Sequence, residues 1–498
     1  MAKWKLIDLT IHEETLEKTV QRARERNIII PTIEQMKNPE KIPAKIKEQL
    51  KSIGLWDINP LNLFRITWKN EPVKEGGLYN SLPNYIEIPP EISGVNARIF
   101  ALSGKWFPIG AHKVGASFAC LVPRLVTGQF DPTFHQAVWP STGNYCRGGA
   151  YNSSLLACQS IAILPENMSK ERFEWLKKVA GEVIATPGCE SNVKEIYDKT
   201  WELRRTRDNV MIFNQFGELG NHLWHYEVTG HAMEDVLKAE MGPNDRLAGV
   251  CLTSGSAGTL GSGDYLKDVY PNSKIAVGEA LQCPTLLNNG FGDHRIEGIG
   301  DKHVPWIHNV KNTDMVIAID DNDSLGLFRL FNEPAGHEYL REQGVSEELI
   351  AKLPWVGISG AANILCAIKF AKYYELTKND VVITVLTDSA EMYQSRLEEM
   401  REAKGGKYEK FDAAIDHAKH VQAVRTDSMQ ELTYQDRKRI HNLKYYTWIE
   451  QQMYDLDELN AQWYDYDNYW GELHKMAPEL DKLIKQFNDR TGLLKGLE

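Results

Sequence analysis

Short apolar runs alternate with longer amphipathic stretches through the middle of this chain. The runs are "HQAVW", "SIAILP", "GEVIAT", "LAGVCL", "KIAVGEA" and "VVITVL", each short enough for a buried strand. Between them, "SKERFEWLKKVA" and "WHYEVTGHAMEDVLKAEM" carry apolar residues at helical spacing. Strand, helix, strand repetition predicts an α/β core with parallel sheets over residues 96–395, with a smaller subdomain over about 133–245. Residues 1–95 read differently, as a lysine- and proline-punctuated segment. Here "TLEKTVQRARERN" and "PEKIPAKIKEQLKSIG" predict helices, and "LPNYIEIPPEISG" an extended connection. Residues 396–498 turn helical and charged. The stretch "LKYYTWIEQQMYDLDELNAQWYDYDNYW" predicts a helical appendage that lays an aromatic face on the core or on a partner subunit.

Composition narrows the class. A chain of 498 residues exceeds what one hydrophobic core serves, so more than one domain is expected. Hydrophobic residues at 42% and charged residues at 25% fit a soluble globular protein. A net charge of −11 argues against a nucleic-acid or anionic-membrane surface. No apolar run approaches the ~20 residues of a membrane helix. The N-terminal stretch turns charged too early for a signal peptide, so a cytoplasmic location is expected. Seven scattered cysteines without a C-x-x-C pair point to reduced thiols. His222 and His225 could face one way on a helix, but no nearby glutamate or third ligand joins them. Their expected role is structural, and no metal is expected.

Four stretches carry candidate chemistry. "FPIGAHKVGASF" sets Lys113 among small residues, which suits either a close-packed helix start or a lysine that admits a flat ligand. "WPSTGNYCRGGAY" is a Ser-Thr-Gly-Asn turn opening a helix, able to offer amides, hydroxyls and a carboxamide to an anion. "LTSGSAGTLGSG" follows the strand "LAGVC", and its small residues let backbone wrap a phosphate, with Thr259 adding a hydroxyl. It lacks the Gly-Lys-Ser/Thr of a Walker loop. "VVITVLTDSAEMY" presents Asp388 and Ser389 at a strand end, where ligands bind in open α/β sheets; helix N-capping is the other reading of both. An isolated lysine, an anion-friendly turn, a phosphate cup and a polar strand end are what pyridoxal 5′-phosphate requires.

The stretch from about 105 to 395 resembles the tryptophan synthase β family, the fold-type II pyridoxal enzymes. "GAHK" resembles the lysine motif of tryptophan synthase β, and the rest is closer to cysteine synthase and cystathionine β-synthase. The motifs that carry the likeness are "AILPENMSKERFEWLKKVAGEVIATPG", "FNQFGELGNHLWHYEVTG", "TSGSAGTLGSGDYLK", "EGIGDKHVP", "VGISGAAN" and "LTDSAEMY", all in the family's order. The resemblance implies two open parallel-sheet α/β domains with the cofactor between them, plus helical N- and C-terminal extensions. It implies Lys113 as Schiff-base lysine and base, and Asn144 with Ser141, Thr142 and Gly143 near the cofactor and the substrate carboxylate. Gly255, Ser256, Ala257, Gly258 and Thr259 would hold the phosphate. Ser389 would meet the ring nitrogen, unless a one-residue slip puts Asp388 there. Gln215 would line the substrate side.

The implied activity is α,β-elimination or β-replacement on a β-substituted amino acid of the cysteine or O-acylserine kind, through an aminoacrylate. The loop "GNYCRGGAY" is nearer in shape to those of threonine and diaminopropionate ammonia-lyases, and replaces a compact Thr-Gly step with Tyr145, Cys146 and Arg147. Arg147 reads either as the partner of a second acidic group on the substrate or as an exposed helix residue. Cys146 reads as a small packed thiol. A homodimer is expected. The terminal extensions leave room for a small companion chain, as in the β subunit of 2-amino-4-oxopentanoate thiolase.

Overall fold

The computed structural model describes residues 4, 6–71, 78–141, 143–188 and 191–497. The apolar runs form two sheets. The smaller holds β3 (Gln136–Pro140), β4 (Gln159–Pro165), β5 (Glu182–Thr186) and β6 (Val210–Ile212), all parallel, in the order β5-β4-β3-β6. The larger has seven strands. Its parallel centre is β2 (Arg98–Ser103), β10 (Asp380–Leu386), β7 (Arg246–Thr253), β8 (Lys274–Ala280) and β9 (Met315–Ile319). Every residue of β10 is buried, because helices cover both faces of a parallel sheet.

The edges of the large sheet correct the expected boundaries. β1 (Tyr85–Ile88) pairs antiparallel with β2, and β11 (Met429–Glu431) pairs antiparallel with β9. The core sheet therefore draws one strand from the N-terminal segment and one from the C-terminal extension. Within the N-terminal segment, Pro43 splits the second expected helix into a 3-10 turn, Pro39–Lys41, and a helix, Ala44–Leu50. "LPNYIEIPPEISG" is part strand rather than a plain connection.

The two extensions also hold each other. The helix Ala477–Thr491 packs against Glu13–Arg26, and the Asp481 carboxylate accepts the amides of Ile33 at 2.6 Å and Glu34 at 3.0 Å. The Asn488 side chain closes a two-way pair with the backbone of Ile30. Trp448, Tyr469 and Trp470 are fully buried, so the aromatic C-terminal stretch does lie on the core.

One helix aligns the strand ends that matter. Asn363, on Ile358–Tyr373, accepts the Thr253 amide at the end of β7 and donates to the Val385 carbonyl near the end of β10. The phosphate-cup candidate and the Asp388–Ser389 pair leave the sheet from these two ends.

Candidate active site

Lys113 opens the helix Lys113–Val126. The chain reaches it through a tight turn in which Ile109, a β-branched residue, takes φ +62° and Gly110 φ +67°. Glycine takes such backbone freely, but at Ile109 it costs about 1–3 kcal/mol and persists where surrounding structure over-determines it. The small residues around Lys113 have a packing reason. A Cβ on Gly115 would collide with the Trp224 indole, and one on Gly148 would press to 2.9 Å from the Lys113 carbonyl. His112 is wholly buried between Trp68 and His225, and burial holds its imidazole well below its usual range. The residue beside Lys113 is thus uncharged.

The Lys113 ammonium donates to Ser256 Oγ at 2.9 Å, inside the loop between β7 and the helix Leu260–Val269. Among the described residues, none of the amides of Gly255, Ser256, Ala257, Gly258 and Thr259 finds a hydrogen-bond acceptor. Ala257 sits at φ +65°, which helps turn successive amides inward. Gly258 must lack a side chain, because a Cβ there would overlap the Asn221 carboxamide. Asn221 in turn donates to the Gln215 carbonyl and to Ser256 Oγ, both at 3.0 Å, and so braces the cup from behind. Unbonded amides beside a half-buried lysine suit an anion.

The Asn loop faces this cup. Ser141 Oγ accepts from Gln215 Nε2 at 3.2 Å and from the Gly143 amide at 3.2 Å, so three expected substrate-side residues meet. Thr142 lies outside the described residues. Asn144 is clamped: its amide donates to Asp388 Oδ2 at 2.6 Å, and its oxygen accepts from Arg147 at 3.1 Å. Arg147 is completely buried, which rules out the exposed-residue reading. It lies beside Trp56 and Trp175 and donates to the Ile109 carbonyl at 2.9 Å. Burial and the neighbouring Arg172 charge pull its guanidinium down to about 10. Cys146 is a buried thiol bonded to the Gly143 carbonyl, as its packed reading requires.

Asp388 anchors a charged bridge between the two sheets. Besides Asn144 it accepts from Tyr393 at 2.7 Å, while Arg172 bonds Tyr393 at 2.8 Å and pairs with Glu297 at 3.1 Å. Burial raises the Asp388 carboxyl, and Arg172 and Asn144 oppose the rise. Neither Asp388 nor Ser389 caps a helix through its side chain: Ser389 precedes a 3-10 turn without such a bond. The capping reading is therefore set aside.

The buried atoms around the cleft without a hydrogen-bond partner among the described residues include Ser389 Oγ, Ser359 Oγ, Asn221 Oδ1, Asp388 Oδ1 and Asp301 Oδ2. Ser359 and Asp301 are not among the residues singled out from the sequence. Ser359 starts "SGAAN", and its hydroxyl lies 3.6 Å from where a Cβ on Gly298 would stand, beside the carbonyl that closes on Gly255. Asp301 ends the "GIGD" turn; both motifs were visible, but only packing shows which of their side chains turn inward. The donor set of amides, hydroxyls, a carboxamide and one lysine fits pyridoxal 5′-phosphate, with the cup for its phosphate and unpaired hydroxyls for its ring.

His222 and His225 do not share a ligand. His225 bonds Thr229 at 2.9 Å, while His222 Nε2 meets His474 Nε2 at 3.0 Å across rings parallel within 5°.

No protein-family model matches the chain. A cysteine synthase of Staphylococcus aureus is 30% identical over 259 residues, covering 52% of this chain and 75% of that protein. A probable cysteine synthase of Bacillus subtilis is 28% identical over 293 residues, 58% of this chain and 85% of that one. Cystathionine β-synthase of Saccharomyces cerevisiae matches at 26% over 318 residues, 62% of this chain but 59% of the yeast protein. Among solved structures, a hydrogen sulfide-producing enzyme from Fusobacterium nucleatum superposes with TM-score 0.52 at 25% identity, covering 64% of this chain and 88% of that one. Cysteine synthase from Entamoeba histolytica shares the fold, with TM-score 0.55 at 21% identity over 68% and 92% of the two chains. The chain belongs to the cysteine synthase family, the fold-type II pyridoxal 5′-phosphate enzymes that also include cystathionine β-synthase.

Proposed function

We propose that this enzyme catalyses α,β-elimination or β-replacement on a β-substituted α-amino acid of the cysteine or O-acylserine kind. The observation that carries the reading is the Lys113 amine set 2.9 Å from Ser256 in a cup of unbonded amides. Bound there, the cofactor supplies an electron sink that acidifies the substrate's Cα–H. Lys113 takes that proton at Nζ and holds it. Gly255 to Thr259 hold the phosphate through their amides. Ser141, Thr142, Gly143 and Gln215 receive the substrate carboxylate, and Asn144 is aimed by Asp388 and Arg147. Arg147, spent on Asn144 and Ile109, acts as a positioning residue. Ser359 joins Ser389 as a hydroxyl available to the ring nitrogen, beside Asp388, whose Oδ2 is engaged by Asn144 and Tyr393 and whose Oδ1 is buried without a partner among the described residues.

The test is a panel of β-substituted amino acids given to the cofactor-loaded protein, with and without an added thiol, followed by assays for keto acid, ammonia and replacement product. The expected result is turnover of at least one, abolished in Lys113→Ala. Turnover that survives Lys113→Ala overturns the reading. A cytoplasmic, homodimeric enzyme is part of the same proposal. The unpaired state of the six described cysteines supports the first part, and exposed Tyr446, Met453 and Tyr464 offer an apolar surface to a second copy or a small companion chain.

A further inference from the structure

Asp301 is a carboxylic acid in an unusual place. Its residue is 8% exposed, and its Oδ2 is buried without a hydrogen-bond partner among the described residues. The backbone that delivers it is built against the phosphate cup. Gly298 and Gly300 take φ +106° and +81°, the Gly300 amide donates to the Ser254 carbonyl at 3.0 Å, and the Gly298 carbonyl lies 2.7 Å from where a Cβ on Gly255 would stand. The carbonyl of Asp301 is itself pinned by Thr285 Oγ1 at 2.8 Å. The turn is thus held by the Gly300 amide and the Asp301 carbonyl, while Oδ2 of the Asp301 carboxyl is buried without a partner among the described residues.

The groups that face it define which side of the cleft it serves. The Lys113 ammonium is the charge that acts on it, and its own field reaches Tyr197 and Cys283. Tyr197 packs edge-on to Phe216, the neighbour of Gln215, and bonds His303 at 3.1 Å. Burial keeps His303 uncharged, down to about 3, and His294 is tied to the Gly300 carbonyl at 2.9 Å. No second carboxylate or arginine pairs with Asp301 among the described residues. Burial pushes its carboxyl up to about 7, with Lys113 opposing the rise. A carboxyl that holds or yields its proton near neutrality is suited to general acid–base work.

Resting on the elimination and replacement reading, we propose that Asp301 is a second proton-transfer residue, which serves the substituent on the substrate's Cβ while Lys113 serves Cα. When the bond from Cβ to the heteroatom breaks, the bonding pair leaves on the heteroatom. The proton on Asp301 passes to it and a carboxylate remains. In replacement, an incoming thiol gives its proton to that carboxylate as the sulfur lone pair forms the new bond to Cβ. In elimination without replacement, Lys113 holds the Cα proton as an ammonium beside the Asp301 carboxylate, and returning it to Asp301 restores both groups.

This assignment predicts a dependence on the leaving group that a structural role does not. Thiolate and hydroxide leave with difficulty unless protonated, whereas acetate and chloride need no proton. Asp301→Asn should slow L-cysteine and L-serine about 100-fold or more, and leave O-acetyl-L-serine and β-chloro-L-alanine within about 10-fold of wild type. Asp301→Glu should restore part of the loss. A readout without cofactor accompanies it: the infrared difference between wild type and Asp301→Asn should show a protonated-carboxyl stretch that titrates away near neutral pH. Equal slowing of all four substrates, or no such stretch, overturns the assignment. Failure of the broader reading would look different, as no turnover of any of the four by the wild type.

Discussion

At the scale of single residues, the site is a set of side chains each fixed by a neighbour. Asp388 is the sharpest case, because it lies at zero exposure with Arg172, Tyr393 and Asn144 around it. Removing one member of a buried ion pair leaves the other uncompensated, at a cost of about 3–5 kcal/mol. Asp388→Ala should therefore lower stability by about that amount and weaken cofactor affinity through loss of the Asn144 clamp; calorimetry and cofactor titration check both. Gly258→Ala tests the cup. Its methyl would overlap the Asn221 carboxamide, so cofactor affinity should fall while the apo-protein stays folded, as read by equilibrium dialysis and far-UV circular dichroism. Lys113 and the glycine-rich cup were legible through the ordered motifs shared with the family, since Lys113's own stretch suits a close-packed helix start equally well. Asp301 and Ser359 were not, because an Asp after a glycine turn or a Ser before a helix looks the same whether it faces solvent or cleft.

At the scale of elements, the central strands were legible because parallel strands buried on both faces read as unbroken apolar runs. The edge strands β1 and β11 were hidden for the opposite reason. "YIEI" alternates, but over only four residues closed by prolines, and "MQE" is three part-exposed residues, so neither is long enough to stand out as a strand. The C-terminal stretch reads only as aromatic and acidic, yet it grips the loop that follows Asp301. Buried Lys444 donates to the Trp306 carbonyl at 2.8 Å, the His308 carbonyl at 2.7 Å and Gln462 at 2.7 Å, and Trp448 donates to Val304 at 2.8 Å. Lys444→Met would leave the Gln462 side-chain oxygen buried and unpaired, at a cost of about 1–3 kcal/mol, and would take one of two hydrogen bonds from each of the Trp306 and His308 carbonyls. Amide exchange across residues 301–310 should quicken in this variant while that of β10 is unchanged.

At the scale of the whole molecule, buried histidines set the response to acid. Burial holds His112, His225, His308 and His474 well below the usual imidazole range, and brings His222 and His303 to about 3 and His441 to about 2. Each refuses a proton when folded and accepts one when unfolded below about pH 6.5, so acid favours unfolding. Asp264, Glu279 and Asp301, raised to about 7 by burial, act in the opposite sense between about pH 4 and 7 but are fewer. Thermal unfolding should therefore come at steadily lower temperature as pH falls from about 6.5 to about 5, at several times the ~1.4 kcal/mol per pH unit of one proton. The central claim is that Lys113 is the residue on which the cofactor is carried, and one chemical measurement reaches it directly. The protein is loaded with pyridoxal 5′-phosphate, reduced with borohydride and mapped by peptide mass spectrometry. The account predicts a single pyridoxyl group on Lys113 Nζ; a label on another lysine, or none at all, would contradict it.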